Sequence, residues 1–80
     1  MREMEFKMEN RYEHIVAGAE VEVEESSLQG GLVVYYTIKP AIAMSGNFRR
    51  QEALNNFHGV VKEVRENESG AFYVTVEFEE

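Results

Sequence analysis

A chain of 80 residues with a formal net charge of −7, whose 15 acidic side chains are all glutamate, has length for one domain, 1–80, because smaller pieces would not bury a core without metal or disulfide support. The absence of cysteine excludes disulfides, thiolate zinc sites, iron–sulfur ligation and thiol nucleophiles, and it fits a reducing, cytoplasmic setting. The acidic excess disfavours nonspecific nucleic-acid binding, which depends on cations displacing counterions from phosphates.

Met4, Phe6 and Met8 alternate with Glu5, Lys7 and Glu9, the period of a strand with one buried side. The flexible methionines suggest a loosely specified edge. The opening Met1-Arg2-Glu3-Met4-Glu5 is too acidic for a signal peptide, and no apolar run approaches the ~20 residues that cross a bilayer. Tyr12–Val16 is short and ambiguous. Val21 and Val23 alternate with Glu20, Glu22 and Glu24, so the valines face a core and a row of carboxylates faces water. Like charges repel along one face and discourage pairing with other chains.

Ser26–Gly31 reads as a loop or hairpin turn. Leu32–Ile38 is rich in β-branched and aromatic residues on both sides, which predicts a central strand. Leu32, Val34, Tyr36 and Ile38 make one face; Val33, Tyr35 and Thr37 make the other, which needs its own cover. Lys39-Pro40 ends this strand, because proline has no amide hydrogen for the ladder. A small apolar stretch, Ala41–Met44, leads to the loop tip Ser45-Gly46-Asn47. Over 47–57 the pattern favours a short helix capped by Asn47, with Ala53, Leu54 and Phe57 on one side, against an irregular connection.

Gly59–Glu79 carries the firmest pattern. Phe72, Val74, Val76 and Phe78 alternate with Tyr73, Thr75, Glu77 and Glu79, and Val60, Lys62, Val64 and Glu66 suggest the partner strand. Asn67-Glu68-Ser69-Gly70 supplies the turn. A hairpin alone is marginal in water, so its apolar side demands an opposing layer. The fold class that follows is mainly β, all-β or α+β: a small, partly open antiparallel barrel of about five strands, with 47–57 as the one candidate helix.

Catalytic constellations are missing. His14 and His58 are the two imidazoles and neither sits at metal-ligand spacing. Ser26, Ser27, Ser45 and Ser69 fall in predicted turns without the frame of a nucleophile elbow. Glu24-Glu25 and Glu79-Glu80 read as solvated pairs, whereas a general acid needs a desolvated pocket. The glycines do not form a phosphate loop. No enzyme, metal or cofactor is therefore expected.

One local departure from the acidic background is Lys39 with Arg49 and Arg50, near Tyr35, Tyr36 and Phe48. Guanidinium planes beside aromatic faces suit an anionic partner or unpaired bases. These six residues are the candidate binding site. The competing reading makes the arginines solubilising charges, paired with Glu52 or Glu13, and the tyrosines core.

Gly59–Val64 followed by Phe72–Phe78, with Ala17–Val23 as an opening strand, resembles the adjacent strands of small Src-homology-like barrels, including KOW and Tudor-type modules. The order of pieces also resembles the variable chain of ferredoxin:thioredoxin reductase and the peripheral E subunit of photosystem I. The resemblance spans three patches and departs at 29–57 and at Met4–Met8. Those two chains serve as docking partners without chemistry of their own, but what the resemblance implies for this sequence is the fold alone. The leading expectation is a non-catalytic protein-binding module, a small docking subunit or an inhibitor of a larger partner, with homo-oligomerisation favoured by the short chain. The alternatives are a small nucleic-acid-binding barrel using Lys39, Arg49 and Arg50, and an acidic inhibitor whose glutamates imitate a phosphate backbone.

Overall fold

The computed structural model describes residues 1–40 and 42–80; Ala41, read as part of the small apolar stretch, lies outside the described residues. Among the described residues seven strands form one antiparallel sheet: β1 (Arg2–Met8), β2 (Glu20–Leu28), β3 (Val33–Ile38), β4 (Ala43–Ser45), β5 (Phe48–Arg49), β6 (His58–Glu66) and β7 (Phe72–Phe78). The order is β2-β6-β7-β1-β4-β3-β5, and β2 also pairs with β3, so six strands close a ring and β5 lies beside β3 just after β4. Among the described residues no helix is long and apolar enough to cross a membrane.

The alternation read in the sequence becomes the inside and outside of this ring. Met4, Phe6 and Met8 of β1, Val21 and Val23 of β2, Val34, Tyr36 and Ile38 of β3, and Val74, Val76 and Phe78 of β7 are buried and pack into one cluster. Glu20, Glu22 and Glu24 stand outside in water. Each buried aliphatic or aromatic side chain of this kind contributes about 1.5–3 kcal/mol. Ile15, from the connection before β2, and Leu54, from the segment before β6, are buried in the same cluster. Strands alone leave a ring open at its ends, and these two connections supply apolar stoppers.

Several expectations need correction. β1 is an interior strand, paired with β7 along its whole length and with β4 at Phe6 and Lys7, not a loose edge. Leu32 does not join the Val34–Ile38 side; it precedes β3 and is 69% exposed. In β6 the pairing with β7 shifts between Val61 and Glu63. The additional residue of a bulge resets the phase, so Val61 is buried, Val64 packs against the core and Val60 faces out. The helix favoured over 47–57 is instead β5 followed by a single 3-10 turn, Arg50–Glu52. Val34 and Val33 of β3 pair with Phe48 and Arg49, so their backbone groups are taken by a ladder before an α-helix can start. Among the described residues no second layer covers the outer side of β3, where Val33, Tyr35 and Thr37 are each half-buried.

Candidate functional site

β3 decides where the six candidate binding residues lie. Tyr36 points inward and is fully buried. Its hydroxyl donates to Glu25 Oε1 at 2.8 Å and accepts from the Leu54 amide at 2.7 Å. Burial raises its pKa above the usual tyrosine value, opposed by the Leu54 amide and helped by Glu25. It is a core residue, unavailable to a partner. Phe48, in register with Val34, also turns inward: its ring lies 6.3 Å from that of Tyr36, and the Arg2 guanidinium covers it at 5.5 Å. The site thereby loses both of these aromatics from its surface.

Tyr35 remains, half-exposed on the outer face. Arg49 is beside Val33 at one end of β3, while Lys39 follows Ile38 at the other. Six residue steps of extended chain, from Val33 to Lys39, separate them, about 20 Å. Arg50 is occupied: its Nη1 bonds Glu25 at 3.0 Å and its Nε donates to the Gly31 carbonyl at 2.8 Å. Glu25, read as solvated, is therefore the junction between Tyr36 and Arg50. Glu52 accepts from the Arg49 amide at 3.0 Å rather than from a guanidinium. Lys39, Arg49 and Arg50 do not form one cationic patch.

Lateral register brings together a group that sequence spacing does not reveal. Glu24 is opposite Thr37, Thr37 opposite Met44, Met44 opposite Lys7, Lys7 opposite Tyr73 and Tyr73 opposite Arg65. This row crosses the outer surface of all six ring strands. A second row on the same face places Leu28 beside Val33 and Val33 beside Arg49. With Leu32 and Tyr35, the outside of β2, β3 and β4 carries Leu28 (42% exposed) and Met44 (52%) as open apolar surface. Shallow clefts flank Met44 on either side, one lined by Tyr12, Ile42 and Lys7, the other by Glu5, Gly46 and Tyr73. No sequence signal marks Leu28 or Met44, because only strand order makes them neighbours of Tyr35.

The imidazoles behave differently from one another. His14 is exposed and sets its ring edge-on to Tyr12 at 5.9 Å. His58 lies across the β2–β6 joint, with Nδ1 3.1 Å from Glu22 and Nε2 2.8 Å from Glu20. Those two carboxylates raise its pKa above 6.5, Glu22 contributing most. They sit at opposite nitrogens and do not converge on one point, and among the described residues no group of three or more His, Cys, Asp or Glu is arranged to hold a metal ion. No protein-family model matches this chain, and no curated protein and no solved structure is significantly similar to it.

Proposed function

We propose that the chain is a non-catalytic protein-binding module that docks on a larger partner through the outer face of β2, β3 and β4. The observation that carries this reading is the apolar outer surface of Leu28, Leu32, Val33, Tyr35 and Met44, which gathers three of the exposed large apolar side chains on neighbouring strands, whereas Val16, Phe57 and Val60 are exposed elsewhere. Contiguous exposed apolar side chains mark interaction surfaces more often than scattered ones do. Tyrosine and methionine suit the centre of such a contact, because one offers rigid amphipathic area and the other adapts its shape. Arg49 and Glu24 at its margins supply a polar rim. The separation of Lys39 from Arg49 and the engagement of Arg50 by Glu25 weigh against the nucleic-acid alternative.

The test is photo-crosslinking in the native host with benzoylphenylalanine at Tyr35, against a control label at Glu68 in the β6–β7 turn. One discrete protein adduct from Tyr35, lost when Leu32→Glu and Met44→Glu are added, supports docking through this face. Equal labelling from both positions, or none, overturns it.

A further inference from the structure

The direction of each backbone group along β2 can be followed from hydrogen bonds at its start. The Glu22 carbonyl accepts from the Lys39 amide, so Glu22 faces β3; the Val23 amide donates to the Phe57 carbonyl, so Val23 faces the β6 side. Successive residues alternate. Glu24, Ser26 and Leu28 therefore bond to β3, while Glu25 and Ser27 aim their N–H and C=O groups the other way. Pairing with β6 ends at Glu22–His58. Among the described residues nothing bonds the backbone of Glu25 or Ser27 on that side.

This stretch is a free sheet edge, and its outward side carries no charge. Exposed edges are normally guarded by charge, an inward-pointing charged residue, proline or a bulge. The row Glu20, Glu22, Glu24 guards the half of β2 that β6 already covers or that lies next to it. Beyond it the outward side chains are Ser26 and Leu28, and the one inward-pointing charge, the Glu25 carboxylate, is already paired with Tyr36 and Arg50. Leu28 and Leu32 leave apolar surface beside the edge.

We infer that the edge at Glu25–Ser27 pairs with the same edge of a second copy of this chain, antiparallel about a two-fold axis through Ser26. In that register Glu25 is opposite Ser27 of the other copy, so both residues in each copy exchange N–H and C=O bonds across the axis. Glu24 falls opposite Leu28, and no like charges meet. Shifting the register to set Glu25 against Glu25 would halve the bonds and oppose two carboxylates. Charge of −7 on each copy works against association, so added salt tightens the pairing by screening. One strand pair is a small interface, well below the ~1,200 Å² of stable complexes, so the pairing is weak and emerges at high protein concentration. This pairing is independent of docking through Tyr35 and of the partner that face engages.

Sedimentation equilibrium of the full chain from about 10 µM to about 1 mM, joined to amide hydrogen exchange at each concentration, tests the inference. The expected result is a monomer–dimer equilibrium in which the Glu25 and Ser27 amides become protected as concentration rises. Ser27→Pro removes a hydrogen that no internal bond uses, and it weakens the dimer at least about tenfold. Ser26→Lys lowers net charge yet sets two ammonium groups on the axis; it also weakens the dimer if the edge is the interface, and tightens it if bulk charge governs. A monomer at the highest concentration, a dimer whose Glu25 and Ser27 amides stay unprotected, or a tighter Ser26→Lys dimer overturns the inference.

Discussion

The Tyr36 hydroxyl reaches the Glu25 carboxylate across the β2–β3 pair at 2.8 Å, and the same oxygen takes the Leu54 amide hydrogen at 2.7 Å. One phenol thus joins a strand pair to the segment that closes one end of the ring. Removing it as Tyr36→Phe leaves a buried amide without an acceptor, a loss of about 1–3 kcal/mol. Urea unfolding followed by circular dichroism measures this, and a change below about 0.5 kcal/mol contradicts the role assigned to the hydroxyl.

Gly59 is buried against β7, and its lack of a side chain is a packing requirement. A Cβ there would stand 2.5 Å from Val76 Cγ1, 2.9 Å from Phe78 Cε1 and 3.0 Å from the Glu77 carbonyl oxygen. Gly59→Ala is expected to destabilise the fold by about 1–3 kcal/mol through overpacking, read as a lower urea midpoint with unchanged slope. A neutral outcome would mean that β6 and β7 separate at this point.

His58 makes the β2–β6 joint sensitive to pH. The folded state holds its proton more tightly than the unfolded chain, because Glu22 and then Glu20 accept from the charged ring. Its contribution is complete below pH 6.5 and fades as the pH rises through the higher folded-state value. Thermal melts of wild type should therefore drop in Tm on passing from mildly acidic to mildly alkaline buffer. His58→Gln should flatten that part of the profile; an identical profile in the variant refutes the assignment.

At the acidic end Glu80 acts with the opposite sign. Its carboxyl lies below the ordinary 4.5 chiefly because the Asn55 amide holds the carboxylate; burial opposes this, and the Asn56 amide and Arg2 add to it. The stabilisation is present above 4.5 and disappears as the pH falls through the lower folded-state value. Glu80→Gln should remove this part of the acid sensitivity, seen as a smaller loss of Tm below pH 4.5 than wild type shows.

Arg49→Ala with Lys39→Ala should leave binding to labelled single-stranded RNA unchanged and negligible at low salt. The two cations stand at opposite ends of β3 within a chain of net charge −7, so they do not act as one phosphate-binding stripe. A mobility shift in wild type that this pair of changes abolishes would instead favour the nucleic-acid alternative.

Alternation by itself determined which way the strand side chains point. Met4, Phe6, Met8, Val21, Val23, Val74, Val76 and Phe78 were legible as a core because a strand repeats every two residues and water sorts the two sides. Tertiary structure alone decided which outward residues become neighbours. Lateral register between strands far apart in the chain joins Leu28 to Val33 and Met44 to Lys7, and no local pattern encodes it. The same limit explains the errors. Tyr36 and Phe48 read as surface candidates until β5 paired with β3, and 47–57 read as a helix until that ladder claimed its backbone. Glu25 read as one more solvated carboxylate until an interior phenol and an arginine met on either side of it. Propensity is a sum over near neighbours, whereas sheet closure is settled by hydrogen bonds whose partners lie tens of residues away.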